Sequence, residues 1–503
     1  MNVSVIGGGI AGLVAACEAA ERGAQVTLYE ATPVLGGRAV ASRLGYRTNL
    51  GPHVLYQQGA LGRWLAARSL TPPLVPLHLH RTVWITNGRT TRRTRPALLG
   101  ALRRVRTTAP IDESFRSWGS RHLGAATTEQ LARLAGLFTY HHDPGELSAQ
   151  FIWDRVRSDF VHPWNARTVV GGWEQLVSSL EGHARQRGVR IELGARVRPA
   201  DLNDGPTIVA TSLAVASRLL DDRSLTWFGS RTALLDIAVS GQPSRGHVLG
   251  IDLDPDARGC ILVNRSSADD PSVAPAGEEL WCGQVGISAD DDAAEATARI
   301  ERSMTSMDPS WRSRESWRET RVVTNASGAV DPPGTSWRDR PGVERGDGVF
   351  LCGDMTSAPG LLAEVAVNSA ILGAALAVAE GRQRSFAPQW TGITLGAEQR
   401  IRLLAATLES PVVELSPDAD WSFEPYQESE PGVVVRRLRD GTTMVFVRDG
   451  DSSRVWGLIG LERATRQTGH LSLTAQRTLR LTMQRRLRRH ARRSLGVPAS
   501  AGD

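Results

Sequence analysis

The sequence predicts an α/β fold in which one parallel sheet is assembled from segments that lie far apart in the chain. Three segments predict it: residues 2–30, residues 188–217 and residues 348–378. Each contains a short apolar run of strand length next to a run of helix-forming residues, which is typical of βαβ units with buried strands. The length of 503 residues allows two or three domains.

The opening segment, MNVSVIGGGIAGLVAACEAAERGAQVTLYE, places a glycine turn directly after an apolar strand. Gly7, Gly9 and Gly12 follow that strand at the spacing G-x-G-x-x-G. The first glycine of such a turn permits a sharp bend, the second lets the backbone approach a pyrophosphate, and the third lets the next helix pack closely. The turn therefore predicts a bound dinucleotide at the start of this helix.

An acidic residue completes the nucleotide pattern. Residues 13–22 predict a helix that Gly23 ends, and residues 25–30 predict the next strand. Glu30 ends that strand 18 residues beyond Gly12, where a carboxylate accepts hydrogen bonds from ribose hydroxyls and repels a 2′-phosphate.

The following segment, PVLGGRAVASRLGYRTNLGPHVLY, carries Gly36, Gly37 and Arg38, and then Gly51 and His53 in a Gly-Pro-His sequence. With these residues the chain resembles the flavoprotein group that includes flavin amine oxidases, protoporphyrinogen oxidase and phytoene desaturases. The resemblance implies FAD as the cofactor, with Arg38 near its phosphates and the Gly51 segment beneath its flavin ring.

A second match to this group lies near residue 350. The segment GVFLCGDMTSAPGLLAEVAVNSAILGAALAV resembles the closing FAD motif, with Gly353 and Asp354 after a strand and a helix entered near Leu362 and Ala363. The Asp354 carboxylate is expected to accept from the ribityl hydroxyls. The helix start is expected to direct backbone N–H groups at the flavin edge that gathers negative charge on reduction.

The resemblance covers residues 1–385 and implies a discontinuous Rossmann-type FAD-binding domain of glutathione-reductase-like fold, an α+β substrate domain and a small C-terminal α+β extension. The FAD-binding domain is expected at residues 1–58, 168–217 and 346–384. The substrate domain is expected at residues 59–167 and 218–345, and the C-terminal extension at residues 387–503.

Within these domains, Val197 is expected in a strand with a backbone contact to adenine, although the same residues fit any αβ unit. Residues 60–165 are expected to be largely helical. The runs TALLDIAV and HVLGIDL predict strands, and a helix is expected near residues 293–307.

The chain contains no lysine, so all 59 basic residues are arginines. Chemistry that needs an amine able to lose its proton, such as Schiff-base catalysis, is therefore excluded. Amine oxidation in the related group usually relies on a lysine and on a pair of aromatic rings. Residues 346–370 contain no Tyr or Trp, so the aromatic pair would have to come from another part of the chain, such as Tyr56. The sequence therefore favours an FAD-dependent oxidoreductase that dehydrogenates, desaturates or isomerises a hydrophobic small molecule. Flavin amine oxidase is the alternative, and an FAD-fold scaffold whose basic C-terminal region binds a membrane or an acidic partner is an alternative of another class.

His53 is the candidate catalytic residue, as a proton donor or acceptor near the flavin, with a loop histidine bonded to backbone as the alternative. His141 and His142 are adjacent, and neighbouring residues on a regular element point apart. No cysteine or carboxylate cluster accompanies them, so no metal site is expected.

The region beyond residue 387 lies outside the resemblance. Residues 397–410 predict a helix, the turns RDGT and RDGD between apolar runs predict a small meander, and residues 471–496 predict a helix with eight arginines between Arg477 and Arg493. That helix is expected to contact an anionic membrane surface or an acidic partner, or to pack on the small domain with a solvated face. Nucleic acid is not expected, since aromatic residues do not interleave with the arginines. No signal peptide or membrane-spanning segment is expected, which favours a cytoplasmic location. Peripheral membrane contact through the basic helix is the alternative.

Overall fold

The computed structural model describes residues 1–39, 42–43, 45–48, 53–92, 107–161, 165–202, 205–241, 247–254 and 259–386, together with five strands between residues 412 and 460. The chain forms two compact units, Met1–Gly381 and Arg382–Asp503. Because the first unit is one compact body, its partition into a cofactor domain and a substrate domain stays a prediction.

A six-stranded sheet brings the three predicted segments together. The first five strands run parallel and the last is antiparallel. Their order across the sheet is Arg190–Leu193, Gln25–Glu30, Asn2–Ile6, Thr207–Val209, Val349–Leu351 and Glu344–Gly346. The predicted α/β fold is confirmed, with the N-terminal strand in the interior of the sheet.

The longest helices that share one hydrophobic core with this sheet are Ile10–Glu21, Gly172–Gln186 and Ala363–Phe386. The first helix buries small side chains such as Ala15 and Ala16, which allow it to approach the strands closely. Its observed bounds extend the predicted helix by one turn towards the glycine turn.

Of the described residues, one helical stretch, Ala363–Gly381, is long and apolar enough to cross a membrane by length and composition alone. In this protein 61% of the stretch is buried, and Val367, Ala370 and Ala374 pack in the core of the first unit.

A seven-stranded sheet forms the other large layer of the first unit. Its strands, in order across the sheet, are Glu315–Thr324, Arg231–Ser240, Glu278–Ile287, Ile261–Arg265, Leu249–Asp252, Thr82–Thr86 and Arg89–Thr91. The helix Ala293–Met307 packs on it through Ile300 and Met304. The predicted strands at TALLDIAV and HVLGIDL and the predicted helix at residues 293–307 are confirmed.

The expectation of a largely helical segment over residues 60–165 is wrong in part. The segment contributes the hairpin Thr82–Thr86 and Arg89–Thr91 to the seven-stranded sheet. Asn87 and Gly88 form its turn with φ of 49° and 67°, which is the conformation that Asn-Gly favours in two-residue hairpins.

The remaining elements of the first unit are short. Its other helices are Ala60–Ala67, Phe115–His122, Ala125–Thr139, Ala149–Val161 and Leu213–Leu219. Two small sheets comprise Ser42–Arg43 with Tyr46–Arg47, and Leu55–Tyr56 with Ala166–Val169 and Leu74–Pro76.

The second unit contains a five-stranded antiparallel sheet. Its strand order is Val412–Leu415, Val455–Gly460, Thr443–Arg448, Val433–Leu438 and Phe423–Glu424. The last three strands in sequence pair consecutively, which confirms the predicted meander. The helices predicted at residues 397–410 and 471–496 lie outside the described residues.

Candidate nucleotide-binding and active site

In the glycine turn, a side chain at Gly7 or Gly12 would collide with the backbone, whereas a side chain at Gly9 would enter open space. Gly7 has a φ of 107°, and a Cβ added there would lie 2.5 Å from the carbonyl oxygen of Ala210. A Cβ on Gly12 would lie 1.8 Å from the carbonyl oxygen of Gly7. Gly9 lines a large cavity, and a Cβ there would meet no atom within 4 Å. The turn thus leaves a cradle at Gly9 that fits a diphosphate.

A second glycine segment lies beside the first. The backbone N–H of Gly36 donates to the carbonyl oxygen of Gly8 at 2.8 Å, and Gly36 forms a parallel bridge with Gly9. Gly36 and Gly37 have φ of 111° and 54°, in the left-handed region that favours glycine. Both line the cavity, so two stretches of backbone without side chains flank the cradle.

Glu30 ties the end of its strand to the glycine turn. One carboxylate oxygen accepts from the backbone N–H of Gly8 at 2.7 Å, and the other accepts from the backbone N–H of Thr32 at 2.9 Å. These bonds hold the carboxylate at the wall of the cavity, where it can also accept from a ligand hydroxyl.

Arg38 joins the two ends of the predicted cofactor site. Its Nη2 lies 2.5 Å from Oδ2 of Asp354, and its Nη1 donates to the carbonyl oxygen of Asn325. Asp354 follows the strand Val349–Leu351 through Gly353, whose N–H donates to Ser369 Oγ at 3.0 Å. Residues 316 positions apart therefore meet at one wall of the cavity, a contact that the sequence did not indicate.

The helix Ala363–Phe386 begins at the cavity, as predicted. Leu362, immediately before it, has a φ of 58°, which is rare for a leucine and costs on the order of 1–3 kcal/mol. Leu362, Ala363 and Glu364 all line the cavity, so the N-terminus of this helix opens onto the ligand space.

His53 lies on the cavity wall, with its ring 5.2 Å from that of Trp173 in an edge-on arrangement. Gly51 lies outside the described residues. Val197 lines the cavity, but the expectation that it belongs to a strand is wrong. The strand Arg190–Leu193 ends before it, because Gly194 turns the chain with a φ of 67°.

One cavity of about 1400 Å³ contains nearly all of these positions. The predicted cofactor residues that line it are Gly7, Gly9, Glu30, Gly36, Gly37, Arg38, Val197, Gly353, Asp354, Leu362 and Ala363. Gly12 lies behind the turn, inside the helix Ile10–Glu21. The glycine turn and the Gly353-Asp354 pair thus border the same space.

The cavity also has an apolar wall that the sequence did not indicate. Phe138 comes from a helix, and Trp84, Ile251 and Leu262 come from neighbouring strands of the seven-stranded sheet. The alternation in the run TVWIT and the Asn-Gly turn after it are the signals that could have identified this part of the sheet.

His141 and His142 do not point apart as expected. Tyr140 ends its helix with a φ of 55°, so the two histidines follow a turn, and their rings lie 4.4 Å apart. Burial lowers the pKa of His141 to about 4, and its Nδ1 accepts from the N–H of Asp143 at 3.1 Å. Within the described part of the chain, no group of three or more metal-binding side chains forms.

Comparisons with known proteins agree with this geometry. The model of the NAD(P)-binding Rossmann-like domain matches residues 5–67. A carotenoid 3,4-desaturase of Haloarcula japonica is 54% identical over 54 residues, which is 10% of this chain and 10% of that protein. A carotenoid phi-ring synthase of Streptomyces griseus is 67% identical over 36 residues, 7% of each chain. The chain thus matches at most about a tenth of the length of these curated relatives.

Solved structures extend the likeness to about three quarters of the chain. An oxidoreductase from Methanosarcina mazei has a TM-score of 0.56 at 16% identity, over 76% of this chain and 100% of that chain. Cyclohexylamine oxidase from Brevibacterium oxydans has a TM-score of 0.56 at 14% identity, over 75% of this chain and 99% of that chain. The match to the Rossmann-like domain indicates a nucleotide as cofactor. Residues 5–67 of the chain therefore match an NAD(P)-binding Rossmann-like domain, and its fold is similar to those of the Methanosarcina mazei oxidoreductase and of cyclohexylamine oxidase.

Proposed function

We propose that the protein is an FAD-dependent oxidoreductase that dehydrogenates, desaturates or isomerises a hydrophobic small molecule. The observation that carries the proposal is the single cavity of about 1400 Å³, which is bordered by the nucleotide turn and by the apolar face of the seven-stranded sheet. A dinucleotide and an apolar substrate can share such a space. The names of the two carotenoid enzymes that match the chain support the same class of substrate.

The residues of the cavity fit FAD at each of its parts. Glu30 would accept from the ribose, the backbone at Gly9 and Gly36 would follow the diphosphate, and Asp354 would accept from the ribityl chain. The helix that begins at Ala363 would direct backbone N–H groups towards the flavin ring. Val197 at the adenine end and Gly51 beneath the ring remain predictions of the same proposal.

Bound FAD supplies a two-electron acceptor for a hydride. The protein's own contribution is to orient the substrate and to exclude water, which the wall of Phe138, Trp84, Ile251 and Leu262 can do. His53 is the titratable side chain that we propose to hold or move a proton, since it lines the cavity and its ring is supported by Trp173.

Amine oxidation is the less favoured reaction for two reasons. The chain has no lysine. In addition, the guanidinium of Arg155 lies 4.6 Å from the ring centroid of Tyr56, so this aromatic face already carries a cation.

Anaerobic spectroscopy of the purified full-length chain tests the proposal. We expect FAD to bind with one equivalent per chain, whereas NAD⁺ does not saturate the site. Mixing with conjugated or partly saturated polyene hydrocarbons is expected to bleach the visible flavin absorbance, and mixing with alkylamines is not. A colourless protein that cannot be reconstituted with FAD would refute the proposal, and bleaching by amines alone would shift the assignment to amine oxidation.

A further inference from the structure

The cavity wall on the seven-stranded sheet changes in polarity along its strands. Alternate residues of three neighbouring strands line the cavity in pairs, which are Thr82 and Trp84, Leu249 and Ile251, and Leu262 and Asn264. By register, Trp84, Ile251 and Leu262 form one apolar row across the sheet. Thr82, Leu249 and Asn264 form the adjacent row, about 7 Å along the strands. The second row is more polar than the first.

Basic residues continue this gradient. His80 precedes Thr82 by two residues, and Arg92 directly follows the edge strand Arg89–Thr91. Thr91 pairs with Trp84, and Arg92 continues the chain from there in the direction of Thr82 and the more polar row. His80 and Arg92 both line the cavity and are exposed to solvent.

Among the described residues no carboxylate lines the cavity at this end, and the nearby carboxylate of Asp269 is paired with Nδ1 of His78, whose ring lies 5.6 Å from that of His80. The carboxylates that line the described part of the cavity are Glu30, Asp354 and Glu364, which belong to the nucleotide turn, the closing motif and the helix start. Arg92 forms no ion pair with any carboxylate in the part of the chain that the structure describes. It is therefore a cation at the end of an apolar wall.

Further arginines lie near this end of the wall. Arg265 is buried behind this end and donates from Nε to Oε2 of Glu279 at 2.9 Å. Burial, together with the nearby charges of Arg92, Arg265 and Arg81, lowers the pKa of His247. A cationic His247 is disfavoured by these neighbours, and the charge of Arg92, which lines the cavity, would stabilise an anion bound here.

We propose, as a deepening of the proposed function, that the substrate is amphipathic, with an apolar body along Trp84, Ile251 and Leu262 and an anionic oxygen head group bound by Arg92 and His80. The head group is a carboxylate or a phosphate, since both accept bidentate hydrogen bonds from a guanidinium.

Ligand binding to the FAD-loaded full chain tests this inference, with parinaric acid as the probe. This conjugated fatty acid and its methyl ester share one apolar body and differ in the charge of the head group. We expect the acid to bind roughly tenfold more tightly than the ester, as an arginine–carboxylate hydrogen bond predicts. The variant Arg92→Gln is expected to bind both alike. Arg89→Gln is the matched control, because Arg89 lies on the same edge strand, is exposed and does not line the cavity.

Competition identifies the head group. Lauric acid or dodecyl phosphate is expected to displace the probe where dodecanol does not, and the stronger of the two competitors distinguishes carboxylate from phosphate. Equal affinity of the wild type for acid and ester, an unchanged preference in Arg92→Gln, or no binding of either probe would overturn the inference. Flavin absorbance of the same samples reports on the proposed function separately. A chain that holds FAD without preferring the acid refutes the head-group site alone, and a chain that prefers the acid without holding FAD refutes only the proposed function.

Discussion

The glycine turn offers a test that separates cofactor binding from folding. Gly9 has an ordinary extended backbone, with φ of −74° and ψ of −177°, and a Cβ there would meet no atom within 4 Å. Gly9→Val should therefore leave the fold intact, with a change in the free energy of unfolding of less than about 1 kcal/mol. Gly12→Val should not, because its Cβ would lie 1.8 Å from the carbonyl oxygen of Gly7. This collision would push the helix away from the turn and is expected to lower the free energy of unfolding by about 3 kcal/mol or more.

The two variants are expected to differ just as clearly in cofactor binding. The valine side chain at position 9 would occupy the cradle and keep a diphosphate from the backbone N–H groups. Loss of two hydrogen bonds to a charged group, at about 1.5–3 kcal/mol each, weakens binding by roughly 3–6 kcal/mol, or about 10²–10⁴-fold. Gly12→Val is expected to lose FAD only because it unfolds.

Chemical denaturation and FAD titration of the same preparations are the required measurements. Gly182→Val is the matched control, since a Cβ on Gly182 also meets no atom within 4 Å and this residue does not line the cavity. The control should retain both stability and FAD. If Gly9→Val binds FAD with wild-type affinity, the diphosphate does not lie at this turn and the reasoning fails.

Three further predictions concern other parts of the first unit. Burial raises the pKa of Asp236 from 3.8 to about 7, so its contribution to stability is present below pH 3.8 and is lost as the pH rises through 7. The advantage of Asp236→Asn over the wild type should therefore grow by roughly 2–3 kcal/mol between pH 5 and pH 8 in chemical denaturation, and a pH-independent difference would contradict the assignment. Asp354→Asn should weaken FAD binding about tenfold or more in titrations while the helix content is kept, and unchanged affinity would remove Asp354 from the site. Trp84→Ala should weaken binding of parinaric acid methyl ester about tenfold without loss of FAD, and equal binding would show that the apolar row does not contact the ligand.

Local patterns were sufficient for much of the fold. The strand Gln25–Glu30 and the helix Ala293–Met307 have the predicted bounds, and the helix after Leu362 begins where expected. In each case the signal lies within the element or directly beside it, as periodicity, a glycine or a capping residue. Asp292, for example, caps its helix by accepting from the N–H of Ala294 at 3.0 Å.

Contacts between distant segments were not predictable in this way. The pairing of Arg38 with Asp354 depends on three parallel strands that bring the segments to one edge of a sheet, and no local pattern encodes that pairing. The wall around Trp84 was missed because the many arginines of the segment obscured a short hairpin. Val197 was placed in a strand because the turn at Gly194 was not recognised.

The proposed contacts to cofactor and substrate lie in separate parts of this chain, and this separation has an energetic consequence. Gly9 lies within residues 5–67, which match the Rossmann-like domain, whereas Arg92 and the row of Trp84, Ile251 and Leu262 lie outside that match. Gly9 and Arg92 share no described contact, so their effects should add. Gly9→Val should lose FAD but keep the preference for parinaric acid over its ester, and Arg92→Gln should show the reverse. A double variant whose effects depart from the sum of the two would mean that the two ends of the cavity are coupled and are not independent sites.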